Sequence, residues 1–215
     1  MDSPSCNDLL GFATTLMHTR QNVSPKRLIS PGPSAQQLQD ILGAAASAPD
    51  HGQLLPWRFV IVPIGQRERL AEVFGLALLD RDPNATPQQI DNARAKAHRA
   101  PFLMLAIARL SGAKARSGAS HGRGAEHPEA SDADVSDAER VVSLGCAIQN
   151  ILLSAHAAGF GAGLTSGQAL ASARLRDLFS LRDNEQPVCC INIGTASKHK
   201  APRLRPNRSA FISTL

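Results

Sequence analysis

Apolar residues recur along the chain with two periodicities, which predict helices alternating with strands. Spacings of three and four residues predict helices at about 8–19, 34–47, 66–79, 86–99 and 137–158. Apolar runs that follow or begin near a proline predict strands at 58–62, 102–108 and 187–195. The glycine-rich stretch 160–167 is expected to be a loop, with a short helix near 170–179. No internal repeat is visible, so this order predicts one α+β domain over residues 7–215.

Helix-start signals strengthen three of these predictions. In each, a serine or threonine is followed three residues later by glutamine or glutamate, as in a capping box: Ser34 with Gln37, Thr86 with Gln89, and Ser136 with Glu139. The helix at 137–158 is apolar around most of its circumference, which indicates burial. Burial within one subunit and burial against a second copy of the chain both fit this pattern, and both stay open.

Two polar segments interrupt or follow the periodic pattern. Residues 111–135 are rich in serine, glycine, alanine and charged residues, so we expect a flexible insertion or lid there. His121 and His127 lie in this segment without other potential metal ligands at suitable spacing, so no metal site is predicted. Residues 196–215 form a polar and basic C-terminal arm.

Composition and charge argue against several broad classes. No apolar run approaches the roughly 20 residues of a membrane span, and no signal peptide is visible, so a cytoplasmic location is expected. The formal charge is +5, yet the basic residues are scattered and few aromatics could stack on bases, which argues against nucleic acid. The four cysteines lack metal or redox spacing and are interpreted as small buried hydrophobic residues. An acidic small-molecule partner, such as a phosphate, suits this charge better.

The most specific stretch joins the second predicted helix to the first strand. It runs APDHGQLLPWRF over residues 48–59, and it combines a proline that stops the helix, a polar turn and the sole tryptophan. This string, which follows an arginine at the end of the first helix, resembles the nitroreductase family of FMN enzymes. The resemblance is to a compact branch with APDH in this loop, and it extends over residues 7–208.

The resemblance implies a nitroreductase-like fold, with a mixed, mostly antiparallel sheet between helical layers. It also implies a homodimer in which the long helices pack together and the C-terminal arm crosses to the partner subunit. FMN is the implied cofactor and NAD(P)H is the implied co-substrate. Because the flavin carries the chemistry in this family, no catalytic side chain is predicted.

The resemblance also implies which residues bind the FMN phosphate and ribityl chain. Arg20, Gln21 and Asn22 match an arginine-x-serine segment of the family, with asparagine in place of serine. Arg203 and Arg205 match a late basic pair on the phosphate. Arginine suits phosphate because its guanidinium donates two parallel hydrogen bonds. From the residues alone, an exposed helix-terminal arginine and a solvated basic tail stay open as alternatives.

Further implied FMN contacts lie in the APDH region and after the glycine-rich stretch. Ser47 and His51 match positions that reach the flavin from the partner subunit, although related proteins often have arginine at the first of them. Leu164, Thr165 and Ser166 match a tripeptide that touches FMN. Leucine and threonine here replace the family's tryptophan and arginine, so we expect a changed substrate preference.

The implied activity is hydride transfer from NAD(P)H to the flavin, followed by two-electron reduction of a nitroaromatic, a quinone or a similar electron-poor acceptor. Arg27 is a candidate for stabilising the anionic reduced flavin. The alternative is a flavin-binding protein with little turnover, a sensor or carrier, which the replacements at 47, 164 and 165 motivate. A nucleic-acid-associated basic protein is the third class considered.

Overall fold

The fold is that of a computed structural model, which describes residues 6–112, 134–198, 201 and 204–215. Its helices are α1 Cys6–Thr19, α2 Ala35–Gly43, α3 Arg67–Leu79, α4 Pro87–Arg94, α5 Asp137–Ala157 and α6 Ala173–Leu178. Its strands are β1 Leu28–Ile29, β2 Trp57–Ile61, β3 Phe102–Arg109, β4 Gly161–Thr165 and β5 Glu185–Ala196. Short 3-10 turns lie at Pro25–Arg27, Ala44–Ser47, His51–Gln53, Ile64–Gln66, Ala95–His98, Gln168–Ala171 and Arg208–Ala210.

The strands form one sheet, with β3 and β5 at its centre. Its order is β1-β5-β3-β2, and β4 also pairs with β5. The pairs of named strands are antiparallel, with Trp57 opposite Ala108 and Phe102 opposite Ile193. A parallel bridge between Asn22 and Ala162 makes the sheet mixed. The predicted mixed, mostly antiparallel sheet is therefore confirmed.

Helices cover both faces of the sheet. On one face, α2 and α5 bury Ile41, Leu144 and Ile151 almost completely. On the other face, α3, α6 and the Ala95–His98 turn pack around Leu70 and Leu175. A sheet and helices with one apolar face each are stable only when those faces are buried against each other. The predicted α+β sandwich follows from this burial.

Helix boundaries agree well with the predictions, and two strands, β1 and β4, were missed. The three predicted capping boxes all form, at the starts of α2, α4 and α5. The prediction of a loop at 160–167 is wrong, because Gly161–Thr165 forms β4. Glycine is needed there for close packing, since a Cβ on Gly163 would overlap the carbonyl of Val23. With two residues, β1 is too short to give a periodic signal.

The first and longest helices differ in how much of their apolar surface is covered. The long helix α5 buries eight residues within its own subunit, but Val141 and Val142 are exposed. No residue of α1 is buried, and Leu9, Phe12 and Met17 are exposed. A single subunit thus explains the burial of the inner side of α5 and leaves the apolar side of α1 uncovered.

Predictions made from composition have mixed outcomes. Cys189 and Cys190 are buried, whereas Cys6 is exposed, so the expectation of buried cysteines is wrong for that residue. Across the described ranges, no helix is long and apolar enough to cross a membrane. The same ranges contain no cluster of potential metal ligands. Most of the predicted insertion at 111–135, with both of its histidines, lies outside the described residues.

Candidate functional site

A cavity of about 240 Å³ lies where the C-terminal ends of α1 and α5 meet the edge of the sheet. We call it the α1–α5 cavity. Its lining includes three cationic side chains, which belong to Arg20, Arg27 and Lys198, and the polar residues Gln21 and Asn22. None of the residues that line it carries a carboxylate. The cavity therefore presents positive charge without a countercharge from the described part of the chain.

Among the cations that line the cavity, Arg20 has a buried nitrogen, its Nε, that lacks a hydrogen-bond partner among the described residues. Arg205 lies beside it, and its Nη2 donates to the carbonyl oxygens of Arg20 at 3.1 Å and of His18 at 3.3 Å. Burial and, secondarily, the charge of Arg205 lower the pKa of Arg20. A bound anion would satisfy the Nε–H and offset both effects.

His156 lines the cavity from the last turn of α5. The hydroxyl of Thr19 donates to the carbonyl oxygen of Thr15 at 2.7 Å. Since that proton is used, the His156 Nε2, at 2.8 Å from the same hydroxyl, is the donor in their hydrogen bond. Burial, followed by the charge of Arg20, lowers the pKa of His156. The histidine thus experiences the same excess of positive charge as the cavity.

The segment after α1 runs along β4 and extends the polar surface beyond the cavity. The N–H of Val23 donates to the carbonyl of Ala162 at 2.9 Å. The Asn22 Oδ1 accepts the N–H of Leu164 at 3.2 Å. Asn22 is therefore fixed between the cavity and the end of β4.

A buried asparagine holds the same strand from β5. Asn192 is 1% exposed, and its Nδ2 donates to the Gly163 carbonyl at 3.3 Å and to the Thr165 hydroxyl at 3.1 Å. A buried polar side chain is stable only when it is hydrogen-bonded, so these contacts fix the position of β4. The Thr165 hydroxyl accepts in this bond and keeps its own proton for another acceptor.

A second and larger cavity, of about 690 Å³, begins at the end of β4 and extends towards α3 and α4. We call it the α3–α4 cavity. Thr165 and Ser166 line its side nearest β4. Its basic lining residues are Lys26, Arg81, Lys96 and Arg99. The neighbouring residues Lys26 and Arg27 therefore line different cavities.

His51 lies near the opposite end of α5 from the α1–α5 cavity, since its Nδ1 is 3.2 Å from the Glu139 Oε1 in the first turn of that helix. Ser47 and His51 are both exposed, and neither lines the cavity. Glu139 and His156 are 17 positions apart on this helix, which is roughly 25 Å along its axis. His51 therefore lies far from the α1–α5 cavity of its own subunit.

The sequence profile of the Nitroreductase family matches residues 28–195. The chain belongs to the nitroreductase family. A relative from Haemophilus influenzae, named "Putative NAD(P)H nitroreductase", is 30% identical over 191 residues, which cover 89% of this chain and 91% of that protein.

Solved nitroreductase structures share the fold. A nitroreductase-like family protein from Bacillus cereus superposes with a TM-score of 0.73 at 14% identity, covering 100% of this chain and 98% of that one. A nitroreductase with bound FMN from Desulfitobacterium hafniense gives a TM-score of 0.61 at 19% identity, and the match covers 94% of this chain and 97% of that one. The nitroreductase-like fold predicted from the resemblance is therefore confirmed.

The structure brings together four of the residues that the nitroreductase resemblance assigns to FMN: Arg20, Gln21, Asn22 and Arg205. Three more follow at the end of β4 and just after it: Leu164, Thr165 and Ser166. Within one nitroreductase subunit, Ser47 and His51 line neither of the two cavities. Arg203 lies outside the described residues, so its assignment stays a prediction.

The sequence predictions missed His156 and most of the α3–α4 cavity. A histidine in the last turn of an apolar helix gives no motif, and its neighbour Thr19 is distant in the chain. Lys26 carries a signal that could have been used, because it forms a basic pair with Arg27 directly after Pro25. Lys96 lies in a segment with the pattern of an ordinary solvated helix face.

Proposed function

We propose that this nitroreductase-family protein is an FMN-dependent NAD(P)H oxidoreductase. The observation that carries the proposal is the buried, unpartnered Nε of Arg20, in a cavity that three cations and no described carboxylate line. A phosphate dianion fits that demand, since guanidinium groups bind phosphate through charge-assisted hydrogen bonds. The FMN in the Desulfitobacterium structure and the name of the Haemophilus relative support the two cofactors.

The donor set of this chain fits FMN along one path. Arg20 and Arg205 would hold the phosphate, and Gln21 and Asn22 would face the ribityl chain. The residues at 164–166 would face the flavin ring: the half-exposed Leu164 offers an apolar contact and Thr165 an available hydroxyl proton. When bound, FMN accepts a hydride from NAD(P)H and passes two electrons to the acceptor.

The protein's own contribution is binding, orientation and charge. Arg27 and Lys26 bring positive charge to the two cavities on either side of β4, where negative charge on the reduced cofactor would be stabilised. For a nitroaromatic acceptor, the overall reaction converts the nitro group to a nitroso group. It consumes one NAD(P)H and one proton and releases NAD(P)⁺ and water. A quinone would take up the same two electrons and two protons.

The proposal includes a homodimer in which each subunit contributes to its partner's site. Its support is the distance of His51 from Arg20, together with the exposed apolar side of α1 and the exposed Val141 and Val142. An exposed apolar surface of this kind is typical of protein interfaces. Light scattering of the purified protein would give twice the 22.8 kDa chain mass for the expected dimer. A monomer would contradict this part of the proposal.

The decisive experiment is an absorbance spectrum of the purified protein, followed by anaerobic addition of NADPH and then NADH. We expect the bands of oxidised flavin, and we expect either nucleotide to bleach them. Bands that persist with both nucleotides would favour a flavin-binding protein with little turnover. Absence of flavin bands after incubation with FMN and gel filtration would overturn the proposal.

A further inference from the structure

The α3–α4 cavity has the size and the floor of a site for a ring compound. Its volume of about 690 Å³ lies within the usual range for small-molecule pockets, about 300–1,000 Å³. The apolar part of its lining includes Phe74, Leu103 and Leu170, which are all buried in the core on this face of the sheet. An aromatic or quinonoid ring placed there would lose contact with water and gain contact with these side chains.

The rim of this cavity is cationic from several directions. Lys26 comes from the turn Pro25–Arg27, Arg81 follows α3, and Lys96 belongs to the turn after α4. No aspartate or glutamate lines the cavity. Neither Arg81 nor Lys96 forms an ion pair with another described residue. Several like charges around one opening repel each other, and an anion in that opening relieves the repulsion.

The position of the cavity connects it to electron transfer. Thr165 and Ser166, which would face the flavin ring, also line this cavity. The FMN phosphate has its own cations at the other end of β4, so it does not account for the charge here. A ligand in the α3–α4 cavity would therefore lie next to the ring, with an acidic group among the cations.

We propose that the α3–α4 cavity binds the electron acceptor, and that this acceptor is a ring compound bearing a carboxylate or another acidic group. This inference rests on the proposed function, because it takes the residues at 164–166 to face the flavin. It narrows the acceptor from any electron-poor aromatic to an acidic one. Neutral nitroaromatics would fill the apolar floor without using the cationic rim.

A redox-inert pair of probes tests the proposal without turnover. Binding of 2-naphthoate and of its neutral amide, 2-naphthamide, to the FMN-loaded protein would be measured by isothermal titration calorimetry. We expect the acid to bind more tightly than the amide. In the double variant Arg81→Gln/Lys96→Gln, we expect the acid to lose roughly ten- to a hundredfold in affinity, the value of one or two charge-assisted hydrogen bonds. The amide should bind as before.

Arg69→Gln provides the matched control. Arg69 is an exposed arginine of α3 that bonds Gln66 at 3.0 Å and lines neither cavity, so Arg69→Gln removes one positive charge outside the cavity, half the charge change of the double variant. Its effect on 2-naphthoate should be less than about twofold, as expected for an exposed charge distant from the ligand. If the control and the double variant lost the same affinity for 2-naphthoate, the loss would reflect only the lower net charge of the protein, and this would overturn the proposal.

Three further outcomes would also overturn it. Equal affinities for the acid and the amide would show that the rim recognises no anion. Weaker FMN binding in the double variant would assign the cavity to the flavin itself. Weaker binding of NADPH but not of NADH would assign its cations to the 2′-phosphate of the nucleotide. Failure of NAD(P)H to bleach the flavin would instead contradict the proposed function, whatever the naphthoate result.

Discussion

Two arginine clusters lie at opposite ends of β5 and differ in one respect, the presence of a carboxylate. At the start of the strand, the Glu185 side chain is 2% exposed and accepts hydrogen bonds from the Arg58 Nε at 2.6 Å and Nη2 at 2.8 Å. Arg109 Nε lies 3.8 Å from the same carboxylate. At the end of the strand, Arg20 lines a cavity that no described carboxylate lines, and the Arg205 Nη2 donates to the Arg20 carbonyl beside it.

The two environments shift arginine pKa values in opposite directions. The hydrogen bond from Arg58 to Glu185 raises the pKa of Arg58, whereas burial lowers the pKa of Arg20. The Nε atoms of Arg20 and Arg109 both lack a hydrogen-bond partner among the described residues, but only Arg109 has a countercharge nearby. A missing hydrogen bond alone therefore does not mark a ligand site. The missing countercharge is the difference on which we base the proposal that the Arg20 cluster binds an anion.

The largest effect is expected from removing the charge of Glu185. In Glu185→Gln, the guanidinium groups of Arg58 and Arg109 keep their positions but lose their buried countercharge. We expect the free energy of unfolding to fall by about 3 kcal/mol, since breaking a buried ion pair costs roughly 3–5 kcal/mol. Urea denaturation of the FMN-free protein measures this loss. Glu68→Gln, at an exposed glutamate of α3, should change stability by less than about 0.5 kcal/mol.

The same pair predicts how acid affects stability. The hydrogen bond from Arg58 is the main cause that lowers the pKa of Glu185 from 4.5 to about 2. As pH falls from about 4.5 towards 2, the unfolded chain takes up a proton that the folded chain does not, so stability decreases. Glu185→Gln should remove this part of the pH dependence. Parallel stability curves for the variant and the natural protein below pH 4.5 would contradict the assignment.

A smaller effect, on binding rather than folding, is expected at Arg20. In Arg20→Gln, the FMN dissociation constant should rise roughly ten- to a hundredfold, the value of a hydrogen bond to a charged group. The stability of the FMN-free protein should stay the same or rise, because a half-buried cation whose Nε has no described hydrogen-bond partner is removed. Fluorescence titration with FMN and urea denaturation measure the two quantities. Arg174→Gln, at an exposed arginine paired with Asp80, should leave FMN affinity unchanged.

The comparison can also be tested by giving the Arg20 cluster a carboxylate, as the Arg58 cluster already has in Glu185. Gln21 lines the α1–α5 cavity, so Gln21→Glu places a carboxylate among its cations. We expect the FMN-free protein to gain up to about 1 kcal/mol of stability, as for a partly exposed ion pair. We expect FMN to bind about tenfold more weakly, because its phosphate meets a like charge. Gln21→Ala controls for the lost amide, and tighter FMN binding in Gln21→Glu would contradict the interpretation.

The sequence predicts the scaffold of this molecule better than its sites. Helix caps such as Ser136 with Glu139 are local, so pattern and structure agree there. The strand β4 is missed because its glycines are typical of a loop, whereas its pairing with β5 and the close approach of Val23 to Gly163 are contacts between distant parts of the chain. A family motif at Arg20 suggests the cluster of cations at the α1–α5 cavity. No motif predicts that the Arg20 Nε lacks a described hydrogen-bond partner or that His156 lines the cavity. Both depend on how α1 and α5 end at the same place.

The smallest expected effect is a pKa shift at His156, and it tests the charge of the α1–α5 cavity directly. Burial, and then Arg20, lower the pKa of His156 from 6.5 in the FMN-free protein. Just below pH 6.5, the unfolded chain therefore takes up a proton at His156 that the folded chain does not, so stability falls as the pH decreases through this range.

Binding of FMN should change this pKa. A phosphate bound beside Arg20 would offset the positive potential of the arginine, so FMN should raise the pKa of His156 towards its ordinary value. The imidazole Cε1–H resonance, followed by NMR with and without FMN, gives both values. Arg20→Gln should raise the pKa of His156 in the FMN-free protein, because it removes the charge of Arg20. An unchanged or lower pKa on FMN binding would mean that the phosphate does not lie in this cavity, and that the cluster without a carboxylate has another ligand.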